Sequence, residues 1–180
     1  MTSTPLPALV LGSTSRYRRE LLERLRMPFE VASPQVDETP LPGEAPATLA
    51  IRLALAKARE VSARFPDAVV IGSDQVADVD GQPQHMSGRS VVFQTAVAVV
   101  RGATPGRPAF EAVQLAPVTV RFRTLSESEI ERYLRLEQPY DCAGSAKCET
   151  LGIALLGAIE SDDPTALVGL PLIRTSQMLR

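Results

Sequence analysis

The chain has 180 residues, 44% of them hydrophobic and 22% charged, and a formal net charge of −2. A chain of this length buries roughly 70% of its unfolded surface, so it suits a single domain and needs no disulfide or metal to hold its core. Near-balanced charge excludes a global pull towards nucleic acid or an anionic membrane, and with only 4% aromatics there is no basic stripe interleaved with stacking rings.

The opening MTSTPLPALVLGSTS has neither the basic region of a signal peptide nor the apolar length of a membrane span, so a cytoplasmic protein is expected. Residues 8–12 (ALVLG) form a short run of strand formers and read as a buried strand. Ser13, Thr14 and Ser15 then supply capping hydroxyls for a helix over 16–25, with Leu21, Leu22 and Leu25 on one face. Residues 28–33 read as a second strand, followed by a loop over 34–46 that carries Asp37 and Glu38. The clearest helix spans 47–65, where Ala50, Ile51, Ala54, Leu55, Ala58, Val61 and Phe65 share one arc opposite Arg52, Arg59 and Glu60. Residues 68–72 (AVVIG) read as a buried strand that delivers Asp74 at its C-terminal end. In the second half, 91–101 and 113–122 bracket a turn-rich stretch and read as a hairpin or meander. Ser126 and Glu129 make a capping-box pattern for a helix through Leu136. A small-residue loop over 140–150, a strand over 151–159 and a terminal helix over 171–180 complete the chain. Cys142, Cys148 and the lone His85 make no zinc site, and the two cysteines are expected to be reduced thiols. Strands alternating with helices, then a meander, predict an α/β fold around a mixed sheet.

Three features can carry chemistry. The strand, the Ser13-Thr14-Ser15 entry and the helix start with Arg16, Arg18 and Arg19 suit a polyphosphate on free backbone amides, or simply a capped helix with solvated basic residues. Asp74 stands where ligands bind in α/β sheets, and Asp37 and Glu38 can approach it to share a hard cation, unless they are only solvated loop acids. Lys57 lies at the edge of the apolar arc of its helix. A half-buried lysine calls for a phosphate or an acidic cluster, the alternative being an ammonium that reaches out to solvent.

Taken in order, LGSTSRYRRELLERL, PQVDET, LAIRLALAKARE, VVIGSDQVA, DCAGSAKCETLGI and ALVGLPL resemble the Maf family of nucleotide pyrophosphatases from residue 9 to 179 with one break. The resemblance implies a mixed, mostly central twisted sheet flanked by helices, in two lobes with a cleft. It also implies hydrolysis of a nucleoside triphosphate to the monophosphate and pyrophosphate with a divalent cation, magnesium or manganese. By the same resemblance Ser13 and Arg18 bind phosphate, Glu38 is a metal-site carboxylate, Lys57 is a cleft cation, Asp74 is the proton acceptor and a second metal ligand, and Lys147 lines the cleft. Tyr17, Gln75 and Glu149 occupy the positions that set base preference in the branch similar to this chain, and their chemistry suits 7-methyl-GTP. An aromatic ring can stack on the cationic base, and a carboxylate can accept its N1 and N2 protons. The resemblance is compatible with a homodimer and calls for neither nucleic acid nor a membrane as partner.

One departure stands out. After VDGQP the family pattern runs into a Gly-Lys-Pro turn and a helix, whereas here Pro83 is followed at once by Gln84, His85, Met86, Ser87 and Gly88. A lysine expected near the cleft is therefore absent, which puts turnover in question more than family. The alternatives are a pyrophosphatase for other canonical or modified nucleotides, or a non-catalytic nucleotide-binding regulator of cell division.

Overall fold

A computed structural model describes residues 8–78, 86–139 and 147–180. Their strands form one six-stranded sheet in the order β2-β1-β3-β4-β5-β6. The strands are β1 (Leu9–Gly12), β2 (Glu30–Ala32), β3 (Val69–Asp78), β4 (Ser90–Arg101), β5 (Phe110–Phe122) and β6 (Leu156–Glu160). β1 pairs parallel with β2 and β3, and the pairs from β3 through β6 are antiparallel. The helices are α1 (Arg16–Glu23), α2 (Pro46–Arg64), α3 (Glu127–Glu137) and α4 (Leu172–Met178). The expected α/β class with a mixed sheet is therefore what the chain adopts.

Strand alternation divides the core between the two faces of the sheet. Val10, Val70, Ala96 and Ala98 pack on one face against Ala50, Ala54, Ala58 and Val61 of α2. Leu9, Leu11, Ile71, Val97 and Val99 pack on the other against Leu21 and Leu22 of α1 and against Leu170. Alanines on both sides of the first interface bring α2 close to the sheet, and Gly72 makes that approach possible. A Cβ at Gly72 would lie 2.3 Å from the Ala54 carbonyl oxygen and 2.7 Å from the Ala58 nitrogen.

Four expectations needed correction. The strand expected over 68–72 runs to Asp78, because Ser73 to Asp78 keep pairing with β4. Asp74 therefore lies inside β3, two residues beyond the last parallel pair, Gly12 with Gly72. Residues 151–159 are not one strand: Leu151–Leu155 is a 3-10 helix and only Leu156–Glu160 is extended. The second strand shortens to Glu30–Ala32, with an exposed-exposed-buried pattern that offers little apolar surface to pair. β5 begins at Phe110 rather than 113, extending the meander. The capping box is present, with the Ser126 side chain accepting from the Glu129 amide and Glu129 accepting from the Ser126 amide.

Candidate active site

The end of β1 and the start of α1 build one wall of a cleft of about 510 Å³, lined by Ser13, Tyr17, Arg18, Glu38 and Lys57 among others. Ser15 caps α1, its side chain accepting from the Arg18 amide at 3.4 Å. Ser13 Oγ accepts from the Ser15 amide at 3.2 Å and from Arg18 Nη1 at 3.4 Å. A helix start with hydroxyls and a guanidinium beside it makes a natural anion seat.

Lys57 lines the same cleft. Its ammonium lies 2.6 Å from Asp74 Oδ1 and 2.9 Å from Glu38 Oε1. The Lys57 and Asp74 side chains are only 7% and 9% exposed, while Glu38 is 59% exposed and opens to solvent. Lys57 thus takes the acidic-cluster partner that its half-buried helix position calls for. Burial raises the Asp74 pKa above the ordinary carboxylate value, against the hydrogen bond and charge of Lys57 and the charge of Arg18, while Glu38 adds a smaller push upwards. Burial likewise lowers the Arg18 pKa, opposed by Asp74 and Glu38, and a guanidinium remains charged through such a shift. Two carboxylates and two cations therefore alternate across a partly desolvated site.

Glu38 is held in place from outside the cleft. Glu44 and Arg52 form a two-pronged ion pair at 2.7 and 2.8 Å, Glu44 also accepts from the Leu41 amide, and Arg52 donates to the Thr39 carbonyl. This staple ties the loop that carries Glu38 to the helix that carries Lys57. The hydrogen bond from Arg52, then that from the Leu41 amide, lowers the Glu44 pKa to about 2. Asp37 accepts from the Thr39 amide at 2.9 Å and shapes the same loop; it is not among the described residues lining the cleft.

The remaining site candidates are placed differently. Arg16 stacks over the Tyr17 ring at 4.7 Å from its centre and donates to its hydroxyl at 3.0 Å, so Tyr17 is a cleft residue with a cation already on it. Gln75 Nε2 faces the Thr95 hydroxyl and the carbonyls of Ala166 and Leu167, at 2.9 to 3.0 Å. Lys147 is buried, its amide donating to the Tyr133 hydroxyl at 2.9 Å. Glu149 is exposed and accepts from the Cys148 thiol at 3.6 Å. Asp74, Gln75, Lys147 and Glu149 are not among the described residues lining the cleft; Asp74 meets it through Lys57. Cys142 lies outside the described residues, as do His85 and the junction after Pro83.

Sequence reasoning missed Ser73, Thr95 and Gly169 as residues of the site. Ser73 Oγ lies 2.8 Å from the Gly169 carbonyl, which also accepts from Arg18 Nε at 2.9 Å. The ALVGLPL run holds Gly169 and was visible, but no spacing rule connects it to Arg18 across 151 residues.

Glu38 and Asp74 fit a divalent cation by their chemistry. Two carboxylates converge on one ammonium, and a magnesium site commonly takes one or two carboxylates and completes its shell with phosphate oxygens. Among the described residues there is no group of three or more His, Cys, Asp or Glu side chains able to hold a metal by themselves. No helix among them is long and apolar enough to cross a membrane.

The chain is 62% identical to a 7-methyl-GTP pyrophosphatase of Polaromonas sp., covering 100% of this chain and 86% of the relative. It is 60% identical to a protein of the same name from Albidiferax ferrireducens, over 96% and 92% of the two chains. It is 54% identical to another from Cupriavidus pinatubonensis, over 100% and 96%. The Polaromonas alignment runs over 194 positions, so that relative carries residues this 180-residue chain lacks. The family model for Maf-like proteins matches residues 8–180. With a match that spans nearly the whole chain, the protein belongs to the Maf-like family.

Proposed function

We propose that the protein is a nucleoside triphosphate pyrophosphatase that hydrolyses 7-methyl-GTP to 7-methyl-GMP and pyrophosphate. The observation that carries the chemistry is Lys57, which lines one cleft with Ser13, Arg18 and Glu38 and holds the buried Asp74 carboxylate at 2.6 Å. The relatives' names supply the nucleotide.

Ser13 and Arg18 bind the phosphates and offset the charge that grows on the departing pyrophosphate. Lys57 fixes the Asp74 carboxylate through its 2.6 Å contact. Asp74, made more basic by burial, orients a water and takes its proton as the oxygen attacks the alpha phosphorus. Glu38 and Asp74 would hold a magnesium or manganese ion, which would supply charge neutralisation on the phosphates. Tyr17 is the stacking surface for a cationic base. Glu149 completes base selection, its carboxylate the acceptor for the guanine edge. Lys147 supplies further positive charge from the second half of the chain. A cytoplasmic location and a nucleotide as the working partner belong to the same reading.

The test is pyrophosphate release with magnesium or manganese from 7-methyl-GTP, GTP, UTP and dTTP. We expect the methylated nucleotide to be preferred, Tyr17→Ala and Glu149→Gln to erode that preference, and Asp74→Asn to lower kcat at least ~100-fold with modest change in KM. Normal turnover by Asp74→Asn would sink the assignment. Binding of a nucleotide without turnover would favour the regulator, a reading to which the shortened stretch after Pro83 lends weight.

A further inference from the structure

The segment 166–169 lies far from the cleft in sequence, yet side chains from the middle of the sheet grip its backbone at three points. The Ala166 carbonyl accepts from Thr95 Oγ1 at 3.0 Å and from Gln75 Nε2 at 3.0 Å, and the Leu167 carbonyl accepts from the same amide. The Gly169 carbonyl accepts from Arg18 Nε and shares the single Ser73 hydroxyl proton with the Ala96 carbonyl, each 2.8 Å from Ser73 Oγ. Ser73 and Thr95 are fully buried. Gly169 has φ +117, and a Cβ there would stand 3.4 Å from Arg18 Nε. Only glycine takes that conformation without strain and turns its carbonyl to the guanidinium.

We infer that the 166–169 turn is a positioning device for Arg18, with the Gly169 carbonyl as its contact and Ser73, Gln75 and Thr95 as the residues that seat it. An arginine fork has five N–H donors in one plane. Fixing Nε on Gly169 and Nη1 on Ser13 sets that plane, and the remaining donors stay available for a phosphate. Gln75 thus reaches the substrate through the turn and not by touching the base. The inference rests on reading Arg18 as a phosphate contact.

The decisive experiment is a cycle in which Ser73→Ala and Gln75→Leu are each made in the wild-type and Arg18→Lys backgrounds. Lysine keeps the charge but has no Nε to meet Gly169. Readouts are KM and kcat for 7-methyl-GTP and GTP, and calorimetric affinity for inorganic triphosphate with magnesium. In the wild type each substitution should raise KM and weaken triphosphate binding ~10-fold, equally for both nucleotides, as a misplaced binding group does. In the Arg18→Lys background the same substitutions should change either value less than ~2-fold, because the positioned group is gone. Equal factors in both backgrounds would mean a purely structural role and overturn the inference. Selective loss with the methylated nucleotide in Gln75→Leu would overturn it for Gln75 by returning that residue to base contact. If the wild type binds triphosphate but turns over no nucleotide, the proposed function fails while the binding cycle still decides the inference. Absence of any triphosphate binding would overturn both.

Discussion

Lys57→Met is the substitution whose consequences follow most directly from the site. It removes the cation that lies 2.6 Å from Asp74 and leaves a carboxylate that is 9% exposed with the more distant cations Arg18 and Arg52 and the like charge of Glu38. Breaking a buried pair from one side costs about 3–5 kcal/mol, and the field of Arg18 places this case near ~3 kcal/mol. For a chain of this size each kcal/mol lowers Tm by roughly 2–4 °C, so a fall of roughly 6–12 °C is expected at neutral pH. The loss depends on pH with a definite sign. Asp74 already has a raised pKa in the folded protein, and losing Lys57 raises it further. An acid of this kind favours folding below its unfolded pKa, and that advantage disappears as pH rises through the folded value. The gap between variant and wild type should therefore be widest near pH 7.5 and shrink towards about pH 4.5, in the ordinary carboxylate range. Guanidinium chloride denaturation at both values measures it. Adding Asp74→Asn to Lys57→Met should recover most of the loss, since an amide has no charge to desolvate. A deficit that is the same at both pH values, or that persists in the double variant, would refute the reasoning and place the cost in side-chain packing.

Gly72→Ala forces a Cβ to within 2.3 Å of the Ala54 carbonyl. Helix α2 must back away, at a cost of about 1–3 kcal/mol, and because α2 carries Lys57, turnover should fall by ~10–100-fold as well; thermal melts and kinetics report the two effects. Glu44→Gln breaks the Arg52 staple, so the loop bearing Glu38 should exchange its amides faster at neutral pH. Because the Glu44 pKa is lowered to about 2, its contribution is present above its unfolded pKa and lost as pH falls through about 2; the melting difference between variant and wild type should narrow steadily over that acid range. Asp163→Ala removes a fully buried carboxylate that accepts from the Arg174 amide and the Thr165 hydroxyl. Denaturant melts should show a loss of about 2–4 kcal/mol, chiefly for the orphaned Arg174 amide and the lost charge contact to the Arg174 guanidinium, since the Thr165 hydroxyl keeps the Leu170 carbonyl at 2.8 Å.

Much of the fold could be read from periodicity, because the long elements obey it. The apolar arc of α2, the buried run of β1, the β4–β5 meander and the Ser126 capping box were all visible locally. Polar residues obscured the rest. Ser73, Asp74 and Gln75 look like the end of a strand, but each faces a partner supplied by tertiary structure: Ala96 and Gly169, Lys57, and the 166–167 carbonyls. The apolar run over 151–155 carries too little turn chemistry to reveal a 3-10 helix. Within the site, Lys57 could be singled out because an ammonium at the edge of an apolar arc demands a partner. Gly169 could not, because its role lies in a backbone carbonyl and no side-chain pattern marks it.

The seating of the 166–169 turn also bears on the order in which the molecule becomes competent. The β4–β5 hairpin joins neighbours in the chain and can form early, at small loop-closure cost. The bonds from Gln75 to Ala166 and from Ser73 to Gly169 span 91 and 96 residues, and the bond from Arg18 to Gly169 spans 151. Contacts of that range form only after the sheet exists to receive them. The chain can hence hold most of its secondary structure while Arg18 still swings free. Phosphate affinity would then be among the last properties acquired in refolding, lagging the far-ultraviolet signal and marking the moment at which the two ends of the sequence have met.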